Sequence, residues 1–266
     1  PLMKEKGHEL EEISLANVKS RYPQINLEGV TTAYYEPRVG YLEASRSCGV
    51  VMKQFTSLGG QYEQAKVTGL NGTGKIKSIT LESGKTLSAD QYVFACGPWM
   101  RKLFPGLNEL IKVSRQEVYY FQAPEDHLGT HLPIWIEFGE GEKMFYGIPD
   151  HFNQGFKMAY DQRNWPLDVD SDDRGVTPEI HRQMSEVLAG RFPALEKAAL
   201  LRHHTCVYES SPDGDFIIDQ APGFSNATIL CGSSGHGFKM GPAIGEIIAD
   251  HISTGKPLPK EFGLSR

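Results

Sequence analysis

The densest concentration of chemistry-bearing residues runs from 231 to 242, "CGSSGHGFKMGP". Four glycines surround one histidine and one lysine, after the apolar run 227–230 and before the helix-like run 243–251. Three uses suit such a stretch. Glycines make tight strand-to-helix connections, because they enter left-handed backbone conformations without steric cost. A phosphate loop is the second use, since Gly232 and Gly237 have the spacing of the glycines in GxxxxGK[ST]. Phe238 stands where the lysine should be and no Ser or Thr follows Lys239, so that use fails. The third is a cradle for a planar ring, with the N-terminus of the next helix aimed at it. Unpaired N–H groups there carry partial positive charge, suited to a negative charge that appears during a reaction.

The elements that must position this stretch can be read from pattern. The segment "LEEISLANVK" (10–19) predicts a short amphipathic helix, and "GVTTAYYEP" a strand. Residues 43–57 predict a second helix, with Ala44, Val50, Val51 and Phe55 roughly on one face. The runs "YEQAKVTGL", "KIKSITLES" and "DQYVFACG" predict a small antiparallel unit, its last strand buried on both faces. "EVYYFQAP", "LPIWIEF", "KMFYGIP" and "GFKMAYD" predict a sheet with a large aromatic face. Thr177 and Pro178 suit the N-cap and first turn of a helix running to Gly190. The strands "FIID" and "ATILCG" lead into the glycine stretch.

Composition narrows the function classes. The chain has 266 residues, 39% of them hydrophobic, enough for one large domain or two modest ones. Its formal charge of −6 is spread along the length without a basic run, which argues against a nucleic-acid partner. The four cysteines (Cys48, Cys96, Cys206, Cys231) are scattered singly, so a reducing compartment is expected and a metal site is not. The polar start and the absence of an apolar run of about 18 residues predict a cytoplasmic chain with no membrane partner. Because the first residue is Pro1 and not methionine, a preceding stretch is expected to be missing.

A reduced flavin carries the kind of charge a helix N-terminus favours, at its N1 and C2 carbonyl. The stretch "TCVYESSPDGDFIIDQAPGFSNATILCGSSGHGFKMGPAIGEIIADHISTG" resembles the C-terminal part of the flavin-dependent amine and amino-acid oxidases of the monomeric sarcosine oxidase type. "EPRVGYLEASRSCGVVM", "FACGPWMRKLFP" and "FYGIPDHFNQGFKMAY" extend the resemblance over essentially the whole chain. It implies a mixed α/β (α+β) fold of the FAD-linked oxidoreductases. Part of a flavin-binding domain (41–110 and 204–266) would join a substrate domain (1–40 and 111–203) built on a large mixed β-sheet. The family opens with a βαβ unit carrying GxGxxG for the ADP half of FAD. This sequence contains no such unit and resembles the family with about its first third removed.

The resemblance implies roles residue by residue. Cys206 matches a cysteine that anchors the flavin covalently; the alternative is a buried structural cysteine. Lys157 matches a lysine near flavin N5 that assists the reaction with oxygen; the alternative is a surface lysine at a strand end. Gly232, Gly235, His236, Gly237 and Phe238, with Gly97 and Trp99, match cofactor contacts. Lys239, beside the ring, matches a group that pairs with the substrate carboxylate as a point charge. Tyr146 and Tyr208 match pocket walls, with ordinary aromatic packing as the alternative. Asp161 stands where sarcosine oxidases have histidine, which implies a changed substrate preference. The implied enzyme is a FAD-dependent oxidase of an N-methyl, cyclic or related amino acid that uses oxygen and releases hydrogen peroxide. The alternatives are a dehydrogenase with another electron acceptor and a flavin-free fragment or binding subunit.

Overall fold

The computed structural model describes residues 5–139, 141 and 143–266. The first four residues of the polar start lie outside that range. The described residues form two compact units. The first comprises those up to Tyr41, Gln116–Gln162 and Asp173–Cys206; the second comprises Leu42–Arg115, Arg163–Asp172 and Val207–Arg266. These divisions differ from the expected domain ranges: 41 and 204–206 fall in the first unit, 111–115 and 163–172 in the second. Backbone bonds explain the second shift, since Arg115 donates to the Trp165 carbonyl at 2.8 Å and Leu167 to that of Val113 at 3.3 Å.

The chain begins with β1 (Glu11–Ile13), α1 (Leu15–Arg21) and β2 (Ala33–Tyr35), β1 and β2 pairing antiparallel. The helix expected from 10 to 19 is thus corrected to a strand followed by a shorter helix. Ser14 decides the boundary: its hydroxyl accepts from the Asn17 N–H at 3.2 Å and caps α1 there. Next come α2 (Ala44–Ser57), β3 (Val67–Asn71), β4 (Ser78–Leu81), β5 (Thr86–Leu87) and β6 (Tyr92–Phe94). Helix α2 buries none of its residues, and Val50, Val51 and Phe55 on its apolar face are exposed. The small antiparallel sheet is β3-β4-β5, so its third strand lies in the link between the runs "KIKSITLES" and "DQYVFACG". Gly84 donates to the Leu81 carbonyl at 2.8 Å and folds 85–87 back onto β4.

The next strands are β7 (Lys112–Phe121), β8 (Trp135–Phe138), β9 (Met144–Ile148) and β10 (Phe156–Tyr160). They are followed by α3 (Pro178–Arg191), β11 (Leu200–Ser210), β12 (Ile217–Gln220), β13 (Ala227–Cys231) and α4 (Gly237–Thr254). A five-stranded sheet has the order β11-β7-β10-β9-β8, with β7–β10, β10–β9 and β9–β8 antiparallel. One of its faces packs on α3 through Tyr119, Phe156 and Met158, all fully buried, against Ile180, Met184 and Leu188. Thr177 is the N-cap residue of α3, but its hydroxyl does not cap the helix. It donates instead to the buried Glu117 carboxylate, which also accepts from the Thr177 N–H at 3.1 Å and from the Tyr119 hydroxyl.

In the second unit β6 lies parallel to β13, in the order β12-β13-β6, and not in the antiparallel sheet where it was expected. Tyr92, Phe94, Ile229 and Cys231 face one core cluster; Ile218, Ile244 and Ile248 form another beneath α4. Val93 is 45% exposed, so β6 is buried on one face only. Helix α4 starts at Gly237, six residues before the expected Ala243. Pro242 removes one ladder donor without ending the helix, and the Met240 N–H already reaches the His236 carbonyl at 3.3 Å.

Candidate functional site

The predicted residues gather into two groups, each inside one unit. The first lies on the sheet face opposite α3. Strand pleating puts Lys157 and Ala159 on that face, and the register places Tyr120 directly across from Lys157 and Tyr146 across from Ala159. The Lys157 Nζ lies 5.6 Å from the Tyr146 ring centroid. Arg202 on β11 stacks its guanidinium 3.8 Å from the Tyr120 ring centroid and donates to Gln154 Oε1 at 3.1 Å. Four residues further along the same strand, Cys206 interacts electrostatically with both Lys157 and Tyr120. Asp161 follows the end of β10, its N–H donating to the Met144 carbonyl at 2.8 Å.

Charge is poorly matched on this face. Burial pushes the Lys157 ammonium below the ordinary lysine range and Arg202 adds to the effect, while a Cys206 thiolate would oppose it. Burial pushes the Cys206 thiol up and Lys157 pulls it back. A lysine held this way is a compact charge in a desolvated aromatic setting. It can stabilise an anion that forms beside it more strongly than it could in water. The family resemblance brought Lys157, Tyr146 and Cys206 to notice but not Arg202 and Tyr120. Arg202 had one usable signal, its even spacing from Cys206 in a strand.

The second group stands at the carboxyl ends of β6 and β13. Because these strands are parallel, the turn 97–99 after β6 and the glycine loop after β13 emerge at the same end of the sheet. In open α/β sheets that end is where ligands bind. Trp99 is fixed by a 2.9 Å bond from its indole N–H to Asp170. The loop's close approaches are to the chain itself. A Cβ on Gly235 (φ +84°) would sit 2.6 Å from the Tyr208 ring; one on Gly232 (φ +70°) would meet the Asp215 carbonyl at 3.1 Å. The buried Glu209 carboxylate accepts from the Gly232 N–H and, at 3.0 Å, from the Ser233 N–H. Burial raises the Glu209 carboxyl above its usual range, and the bonds from Ser233 and Gly232 pull it back. Burial, with the Glu209 charge adding, pushes the Cys231 thiol up to about 12.

His236 is the N-cap residue of α4 and supplies no side-chain cap, so the first-turn N–H groups of Gly237, Phe238 and Lys239 lack the usual capping acceptor. Phe238 and Lys239 are exposed on that first turn. These features suit the polar edge of a flavin ring: an uncapped helix N-terminus and a backbone turn at the carboxyl ends of parallel strands. A cleft of about 490 Å³ in this unit, lined by Pro98, Lys102, Val113 and Asp168 among others, includes none of the predicted site residues. Among the described residues no group of three or more His, Cys, Asp or Glu could hold a metal ion, and no helix is long and apolar enough to cross a membrane.

The model of the FAD dependent oxidoreductase (DAO) family matches residues 2–251. The chain belongs to this family. Monomeric sarcosine oxidase from Streptomyces avermitilis is 29% identical over 262 residues, covering 93% of this chain and 65% of that protein. N-methyl-L-tryptophan oxidase from Yersinia pestis is 26% identical over 265 residues, covering 97% of this chain and 69% of that protein. L-proline dehydrogenase from P. horikoshii superposes with a TM-score of 0.82 at 23% identity, over 98% of this chain and 70% of that one, which shows the FAD-linked oxidoreductase fold. The chain thus spans less than two thirds of the length of the Streptomyces sarcosine oxidase.

Proposed function

We propose that the protein oxidises the amine of an N-methyl, cyclic or related amino acid, with FAD as hydride acceptor and oxygen as final acceptor, giving hydrogen peroxide. The observation that carries this is the sheet face on which Lys157, Tyr146 and Cys206 converge, beside membership of the FAD dependent oxidoreductase family. Bound FAD would supply the two-electron chemistry; the chain's residues bind, orient and provide charge. Cys206 would be the covalent anchor, and Gly97, Trp99, Gly232, Gly235, His236, Gly237 and Phe238 the flavin contacts. The N–H groups at the start of α4 would face negative charge on the ring's polar edge. Lys157 would hold its ammonium where oxygen reduction creates an anion. Lys239 would take the substrate carboxylate as a point charge, and Tyr146, Tyr208 and Asp161 would be substrate contacts.

The names of the relatives support an amino-acid amine as substrate: sarcosine for one, N-methyl-L-tryptophan for another. Asp161 in place of histidine favours a substrate other than sarcosine. The solved neighbour from P. horikoshii is a dehydrogenase, which favours as second reading an electron acceptor other than oxygen. Anaerobic mixing with a panel of N-methyl and cyclic amino acids, followed by admission of air, tests both. Bleaching by an amino acid and rapid return of colour with stoichiometric peroxide supports the oxidase; bleaching without return in air supports the dehydrogenase. No bleaching by any member overturns the amine reading.

A further inference from the structure

The glycine loop is organised around a carboxylate of the chain's own. Glu209 lies on β11 with only 5% of its surface exposed, and its two oxygens accept from the successive N–H groups of Gly232 and Ser233. Its backbone carbonyl accepts from the next N–H, that of Ser234, at 3.0 Å. Ser234 is fully buried and left-handed (φ +48°), a strained conformation for a non-glycine residue. Its hydroxyl bonds to the Gly232 carbonyl at 3.1 Å and accepts from the Ser211 N–H at 3.3 Å. Successive N–H groups around such a turn form a concavity for anions, the arrangement that phosphate loops use. Here the concavity already holds an anion.

We propose that Glu209 is a positioning residue, the resident anion of the backbone nest at Gly232–Ser234, which presets the glycine loop and closes that nest to phosphate. Charge-assisted bonds to two N–H groups hold the loop more firmly than neutral acceptors would, and they offset the strain at Ser234. The N–H groups left for a ligand are then those at the start of α4, which suits the edge of a ring better than a phosphate. That last consequence rests on the FAD reading; the nest itself does not.

Hydrogen exchange of the backbone amides 232–234 tests the proposal in the full chain without any flavin, so its failure and that of the functional reading are separable. Exchange at Gly232 and Ser233 is expected to quicken at least tenfold in both Glu209→Ala and Glu209→Gln. In Glu209→Gln an amide N–H₂ faces an N–H donor. Sodium formate should restore protection in Glu209→Ala, where it fits the vacated space, and not in Glu209→Gln. Inorganic phosphate should perturb these amides in Glu209→Ala and leave those of the unaltered protein unmoved. Unchanged exchange in the variants, acceleration in a folded Glu209→Ala that formate does not reverse, or phosphate binding at the unaltered loop would each overturn it. If Glu209→Ala does not fold, protection in Glu209→Gln at the level of the unaltered chain would do the same.

Discussion

On the sheet face of the first unit, Lys157 stands near the Cys206 thiol and Arg202 lies over the Tyr120 ring, and among the described residues neither pairs with a carboxylate. In the second unit the charge of Glu209 is met by two backbone N–H groups and enclosed by its own loop. Glu209 is buried, Lys157 half-buried and Arg202 exposed, and the sheet face leaves its charge unspent where the loop consumes its own. Unmatched charge costs folding energy and is available to a ligand. Matched charge holds a shape. The proposed chemistry accordingly falls to the sheet face and the proposed alignment to the loop.

The largest effect should come from Lys157→Met. The oxygen half-reaction is expected to slow about 10²–10³-fold while reduction by substrate is nearly unchanged. Stopped-flow traces of the two half-reactions check this, and equal slowing would move Lys157 into the structural class. Next in size, Gly235→Ala should destabilise the second unit by about 2 kcal/mol, because its Cβ strikes the Tyr208 ring from a left-handed backbone. Adding Tyr208→Ala should recover the clash but not the backbone strain; no recovery in a double-mutant cycle would show that the ring does not set the loop. Lys239→Ala should lower kcat/KM about tenfold for amino acids and spare their esters. Uniform loss would deny it the carboxylate.

The smallest effect concerns pH. Burial makes Glu209 harder to ionise in the folded chain than in the unfolded one, whose value is near 4.5. Its contribution to stability is full below that value and falls as pH rises through the raised folded value. Glu209→Gln should therefore flatten the stability profile in the range just above pH 4.5, as urea titrations would show. An unchanged profile would mean that the carboxylate does not titrate there.

Legibility in the sequence followed the same division. Local signals sufficed for α3, where Thr177 and Pro178 mark the start, and for β8 to β10 and the second half of β7, whose aromatic runs are bounded by turns. They failed where a distant partner decides. Glu11–Ile13 is a strand because 33–35 lies beside it. Tyr92–Phe94 joined a parallel partner more than 130 residues away in the chain, not its near neighbours. Strand β11, the longest, went unassigned because "LLRHHTCVYES" shows no clean alternation of apolar and polar residues. The glycine stretch stood out in the sequence, but its nearest neighbours in the chain are Tyr208 and Glu209. A glutamate in phase with Thr205 and Val207, at a position pleating would bury, was the one hint.

The most direct measurement is the visible absorption spectrum of the purified protein, taken before and after acid precipitation, with Cys206→Ser alongside. A yellow pellet from the unaltered protein and a yellow supernatant from Cys206→Ser is the predicted result, placing a covalent flavin on the sheet face beside Lys157. A colourless protein would contradict the account at its centre.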